Sequence, residues 1–327
     1  MEEVNSYKYL GHHISNRNNN LVNIDSIRKK SIGITKKILN NLDNLKLGKY
    51  YFDCGLIFLN CLLRRSILYS AECYYNLVEK EIRILERIEE DYLRKLFKTE
   101  KGCPISQLYL ESGLYPARFD IIKIQVLFYH YILCQEEDTI IFQFLEAQKR
   151  HPIKGDWIQG VQKNMKYINL TLSENELKQM NKKHLKVILT RKIYEKSLQY
   201  LKDLRQSKGK QIKYEKLKMA EYLMPYDFNL SIEDKRQMFS LKNRMVNIHE
   251  NFPSKGLDKM CKAGCDTEET IQHIYMCDKY DYKHIHTEYE HIYNGTVTEQ
   301  THIYKIMKKK LEERNFRVIQ RDPLYKQ

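Results

Sequence analysis

The sequence predicts a mainly α-helical protein, and three observations carry that expectation. Apolar residues recur at three- and four-residue steps over most of the 327 residues, the spacing of a helix with one buried face. The 12 glycines and 6 prolines are few and scattered, so breaks are short. Period-two alternation is confined to one short piece near the start. With 42% apolar residues the chain can bury a core, and its length fits two or three compact units better than one.

Taken in order, Tyr7-Lys-Tyr-Leu-Gly11 reads as the end of a strand or hairpin, followed by the polar run Asn16 to Asn20. Ile24, Ile27, Ser31, Ile34 and Ile38 then step as one helix face. Cys54 to Val78 is apolar nearly all round apart from Arg64, Arg65 and Glu72, which predicts a central buried helix. Val78, Ile82, Leu85, Ile88, Tyr92 and Leu96 form an amphipathic stripe with charged residues between them. Pro104 at a first helical position and Gly113 at a stop bracket a short helix, and Ala117 to Cys134 makes another. Pro152, Gly155 and Gly160 interrupt the pattern and suggest a boundary. Ser173 with Glu176, and Ser231 with Asp234, are N-terminal capping signatures of two further helices. The expected organisation is a hairpin (1–20), a helical domain (21–150), a basic helical connector (151–230) and a helix with a metal-binding knuckle (231–327).

The formal charge of +14 is unevenly placed. Between Lys178 and Lys218 fourteen Lys and Arg face only Glu195, Asp203 and Glu215, a net +11. A polyanion is the natural partner of such a concentration, and a solvated helix face is the alternative. Eight cysteines are too few for a disulfide scaffold at this length. No charged and apolar leader opens the sequence, and the run Leu56 to Leu63, interrupted by Asn60 and ended by Arg64 and Arg65, is short for a membrane span. A reducing compartment, nuclear or cytoplasmic, and no membrane partner are therefore expected.

The most specific pattern is Cys261-Lys-Ala-Gly-Cys265, seven residues, then His273-Ile-Tyr-Met-Cys277. Three thiols and an imidazole within 17 positions are the ligand set of a structural zinc site. His273 and Cys277, four apart in a helical stretch, share a face, and Cys261 and Cys265 come from a turn before it. Asp266 or Thr267 would cap that helix, Glu268 and Glu269 would sit in its first turn, and Ile271, Ile274 and Tyr275 would form its apolar stripe. The alternative is that these four residues pack as ordinary small side chains. His284, His286 and His291 lack a fixed frame and read as solvated. Trp157 reads as a packing anchor before a base-stacking residue.

Four stretches together resemble the C-terminal part of the reverse transcriptases of non-LTR (LINE-type) retrotransposons. Tyr7-Lys-Tyr-Leu-Gly11 resembles the signature ending their palm. Arg65 to Ala71 with Ile84 to Phe97 resembles their helical thumb, and Leu108 to Pro116 the turn after it. Phe239-Ser-Leu-Lys-Asn-Arg244, then Asn251-Phe252 and the Cys/Cys/His/Cys cluster, are similar to the run into their zinc knuckle, although the last spacing is tighter than in many relatives. The family is one of RNA-directed DNA polymerases. Polymerisation needs paired palm carboxylates holding two metal ions, and Tyr51-Phe-Asp-Cys54 is no substitute, so the chain as it stands is expected to be non-catalytic.

The resemblance and the charge together imply an RNA- or DNA-binding protein with structural Zn2+. Lys182, Lys183, Lys186, Arg191, Lys192, Lys208, Lys210 and Lys213 would meet phosphates, and Arg244, Tyr275 and Tyr280 would contact unpaired bases. A second reading makes the helical first half an interaction subunit resting on a separate reverse transcriptase palm. A third is a retrotransposon remnant without function.

Overall fold

A computed structural model describes residues 6–9, 12–15, 20–99, 103–206, 230–242, 246, 258–280, 289, 291–294 and 296–321. The protein is mainly helical and divides into two compact units, residues 1–96 with 114–210, and 97–113 with 211–327.

The first unit begins with an antiparallel hairpin, β1 (Ser6–Tyr9) on β2 (His12–Ser15), with Tyr7 opposite Ile14 and Lys8 opposite His13. Helix α1 (Leu21–Asn44) buries Ile24, Ile27, Ser31, Thr35, Ile38 and Leu42, one face at helical spacing. Helix α2 (Tyr51–Phe58) runs through a π turn at Leu59–Leu63 into α3 (Arg64–Ile67). Its inner face is Phe52, Gly55, Leu59, Leu63 and Ile67. Gly55 is needed for close approach: a Cβ there would lie 2.5 Å from Leu96 Cδ1, and the Tyr92 hydroxyl donates to its carbonyl at 2.6 Å.

Two expectations are corrected here. The helix expected to run from Cys54 to Val78 ends at Ile67, because Ser70 takes a left-handed backbone (φ +53°) and a short 3₁₀ turn follows at Ala71–Cys73. It is also not buried all round, since Ile57, Leu62 and Tyr69 are about half exposed. By length and composition alone the 23-residue stretch Tyr51–Cys73 is apolar enough to cross a membrane, with a mean hydropathy of 1.2 over its most apolar 18-residue window.

Helix α4 (Glu79–Phe97) supplies Leu85, Ile88, Tyr92 and Leu96 to the core as its stripe predicts. It also buries Glu86, Glu89 and Glu90. Unpaired, such carboxylates would be prohibitive. Here Arg64 pairs with Glu89 at 2.6 Å and Asp120 at 3.2 Å, Arg83 with Glu86 and Glu90, and Arg118 with Glu86 and Glu79. Glu89 further accepts the Ala117 N–H at 3.1 Å, placing a carboxylate at the positive end of the helix that starts there. Burial pushes the Glu89 and Glu90 carboxyls above the usual range, and the facing arginines oppose the shift.

The chain then makes α5 (Ile105–Ser112) in the second unit, ended by Gly113 at φ +65°, and returns for α6 (Ala117–Leu133), α7 (Ile140–Arg150), α8 (Trp157–Tyr167), α9 (Glu174–Gln179) and α10 (Lys182–Gln206). These five helices share one core that includes Phe119, Val126, Leu145, Val161, Leu177 and Leu189. The break at 151–160 is thus an exposed turn and the start of α8 within one compact unit. Asp156 caps α8 through the Gln159 N–H, and Trp157 is a packing anchor whose Nε1 donates to the Glu72 carbonyl at 2.7 Å. Ser173 and Glu176 form the expected capping box, but on the short α9, one turn before the basic helix.

In the second unit Phe97 stacks on Phe239 of α11 (Ile232–Lys242) with ring centroids 4.5 Å apart, and buried Lys242 pairs with Glu111 of α5 at 3.1 Å. Three helices follow, α12 (Ile271–Met276), α13 (His291–Asn294) and α14 (Val297–Arg321). Asp234 accepts from Ser231, Tyr304 and Lys308. Burial would raise its pKa, and these hydrogen bonds with the Lys308 charge overcome that and hold it at about 2.

Replacing Arg64 by Leu leaves Glu89 and Asp120 without their shared cation. A loss of about 3–5 kcal/mol is expected in denaturant unfolding of the first unit, with partial recovery on adding Glu89→Gln. The depressed Asp234 carboxyl stabilises the second unit fully above pH 4, near its unfolded value, and that stability is lost as the pH falls towards 2. Asp234→Asn should flatten the acid limb of a pH–stability curve in that window.

Candidate metal centre

The four predicted ligands converge. Cys261 and Cys265 sit on a tight turn closed by Gly264, at φ +84°, whose N–H donates to the Cys261 carbonyl at 3.0 Å. The turn is pinned by a bridge between Met260 and Glu268 and by the Cys261 N–H on the Thr267 carbonyl. His273 lies in α12, and Cys277 follows it as the C-cap, its N–H on the His273 carbonyl at 2.7 Å. The ligand atoms of all four lie within 4.8 Å of one another. Cys265 Sγ is 3.4 Å and Cys261 Sγ 3.9 Å from Cys277 Sγ. Tetrahedral bonds of about 2.3 Å would set sulfurs about 3.8 Å apart.

The donor chemistry fits a divalent, thiophilic ion. His273 Nε2 is buried, with no hydrogen-bond partner among the described residues, a cost that ligation would remove. The Cys277 thiol hydrogen-bonded to Cys265, then burial and the nearby Cys261, push the Cys265 thiol up to about 11. A cation among three thiols reverses that preference, since thiolates are what it binds. Cys261, Cys265, His273 and Cys277 would hold Zn2+ with four protein ligands, and the ion would supply folding energy with no position left open for a substrate.

The local helix differs from expectation. Its N-cap is Thr270, whose Oγ1 accepts the His273 N–H at 2.9 Å, because residues 266–269 are spent on the turn and bridge. Glu269 lies outside the helix, fully buried, pairing with Arg314 at 2.7 Å and accepting the Lys262 N–H. Lys310 of α14 is equally buried and donates to the carbonyls of Tyr275 at 2.6 Å and Cys277 at 3.0 Å. Burial pushes its pKa down from the ordinary lysine value. Neither Lys310 nor Arg314 is conspicuous in sequence. Lys308-Lys309-Lys310 reads as a solvated run, and the only clue is that 303, 307, 310 and 314 share one helix face.

The expected nucleic-acid contacts fare unevenly. Lys182, Lys183, Lys186 and Arg191 are exposed on α10 and Lys192 is half-buried there. Arg191 lies 4.0 Å from Glu195. Lys208, Lys210, Lys213 and Arg244 lie outside the described residues, as do His284 and His286. Tyr275 and Tyr280 are fully buried, Tyr275 against the Tyr289 ring at 5.5 Å, so neither offers a face to a base. Sequence reasoning also passed over Arg28, Lys29, Lys30, Lys36 and Lys37, all exposed on α1. Their signal was available, since they lie off the stripe that α1 buries.

No family model, curated protein or solved structure matches the chain.

The purified chain should bind one Zn2+, and Co2+ in its place should show the visible bands of tetrahedral thiolate coordination. Cys265→Ser should weaken binding and unfold 258–280 with its packing partners while the first unit keeps its helical circular dichroism. Equal loss in both units would refute a metal role confined to the second.

Proposed function

We propose that this chain is a non-catalytic nucleic-acid-binding protein, related to the C-terminal part of LINE-type reverse transcriptases, whose second unit folds around structural zinc. The observation that carries the proposal is the cationic outer face of α10. Leu185, Leu189, Ile193, Ser197 and Leu201, at strict four-residue steps, fasten this helix to the first unit's core. Lys182, Lys183, Lys186 and Lys192 have no acidic partner among the described residues, so no internal ion pair competes for them. Charges held on a packed helix meet a phosphate backbone at little ordering cost. The exposed cations of α1 belong to the same unit and add to its field. Contact would be mainly to phosphates, which carries no sequence information. The Cys/Cys/His/Cys cluster supports the same reading through the resemblance, as a module that shapes a surface and not as a reactive centre.

One observation favours a second reading, in which the first unit is a subunit resting on a separate palm. Ile57 and Leu62 leave apolar surface exposed on the helical run Tyr51–Ile67, of the kind partner surfaces cover. Ile57→Lys with Leu62→Lys should leave nucleic-acid affinity unchanged and abolish any self-association seen by sedimentation.

The deciding test is anisotropy of a labelled single-stranded RNA titrated with the zinc-loaded protein at several salt concentrations. The logarithm of affinity should fall with log salt by about 0.7 per phosphate contacted. Changing Lys182, Lys183, Lys186 and Arg191 to Gln together should weaken binding on the order of a hundredfold near 0.1 M salt and shallow the slope. An unchanged slope would make α10 a merely solvated face.

A further inference from the structure

We infer that Lys310 is a positioning residue of the metal centre, supplying the buried positive charge that balances its thiolates, and that metal binding thereby fixes helix α14. The inference rests on the zinc reading above.

Lys310 is 1% exposed, and its ammonium donates to the carbonyls of Tyr275 and of Cys277, itself one of the four ligands. Those carbonyls close the last turn of α12, where the helix dipole favours a cation. Dipoles alone do not neutralise a buried charge, and a buried ammonium without a counter-ion is costly. Among the described residues Lys310 makes no ion pair with a carboxylate. Its neighbour one turn on does: Arg314 is paired with fully buried Glu269 at 2.7 Å. Asp278 and Glu313 also add negative charge near Lys310 without pairing with it, and the ligand cluster, whose Cys277 carbonyl Lys310 holds, is the charge it meets most directly. Three thiolates around a dication leave one net negative charge, held beside Lys310 through the Cys277 backbone. In that setting a single cation both holds the carbonyl of a ligand and offsets the centre's excess charge, as the outer partners of metal ligands do.

The consequence reaches beyond the ligands. Lys310 and Arg314 continue the face of α14 that begins with buried Ile303 and Met307, so α14 docks on the metal-binding segment through these two cations. Emptying the centre would strand Lys310 and loosen the helix.

The test uses the full chain and competition for Zn2+ against a chromophoric chelator. Lys310→Met should weaken zinc binding by about 10–100-fold, and Lys310→Arg should recover most of it. The discriminating measurement repeats Lys310→Met in a Cys265→His background, where two thiolates and two imidazoles leave the loaded centre neutral. There the loss should shrink to a few-fold. A carbonyl-holding role without charge balance would cost the same in both backgrounds, and that result, or no loss in either, would overturn the inference. Should Lys310→Met not fold, amide exchange of the unaltered protein decides. Residues 303–315 should lose protection when zinc is chelated, and unchanged protection would overturn the proposal. A wild-type chain that binds no zinc would instead remove the metal reading itself.

Discussion

Two cations on one face of α14 hold together a segment that local structure could not. Residues 258–280 contain one helix of six residues and one isolated bridge. A helix so short is not stable alone in water, and a piece of this size buries too little apolar surface to fold unaided. Lys310 satisfies the carbonyls that end α12, Arg314 satisfies the carboxylate that steadies the cysteine turn, and four ligand atoms wait for the ion. Each arrangement is incomplete without the others. Metal binding at this cluster and folding of the segment would therefore be one equilibrium, in which affinity for the ion is also stability of the fold.

The first unit also holds charges inside a protein, and there they are paired with one another. Its arginines and acids form two ion-pair sets, Arg64 with Glu89 and Asp120 across α3, α4 and α6, and Arg83 and Arg118 with Glu79, Glu86 and Glu90 across α4 and α6. Such a set is weak evidence for extra stability, because desolvation consumes much of the Coulombic gain. What it does supply is register. Arg64 can reach Glu89, Asp120 and the Tyr115 carbonyl together only when α3, α4 and the start of α6 are correctly aligned. An apolar core tolerates sliding that this pattern of donors and acceptors does not.

These buried charges also mark the limit of what the sequence makes legible. Helical periodicity locates α1, α4, α5 and α6 closely, since their stripes are apolar and their ends carry Pro, Gly or polar breaks. The four metal ligands are legible because thiols and imidazole at short spacing have few other uses. Glu86, Glu89, Lys310 and Arg314 are not, because a charge on a helix reads as solvated until its partner is known, and the partners lie 25 to 45 residues away. The base contact expected of Tyr275 conflicts with its place in the apolar stripe of its helix, and the stripe prevails, with its ring packed on Tyr289. The break after Ile67 escaped notice for a different reason: Ser70 adopts a left-handed backbone with no glycine to announce it.

The basic helix packs with one face and keeps its lysines on the other, so the recognition proposed for it would not conflict with packing. In α10 the inner positions repeat every four residues, and the Lys196 ammonium over the Tyr167 ring and the Arg118 guanidinium over the Tyr200 ring add to the fastening. The remaining lysines need not compromise the core to stay exposed. A flexible basic tail would have to be ordered on a polyanion, at an entropic cost for each residue immobilised. A helix already held by five buried positions has met that cost during folding. On the proposed nucleic-acid reading, the free energy gained when counterions leave the backbone would then appear largely as affinity, with the lysines of α10 as a preformed electrostatic surface.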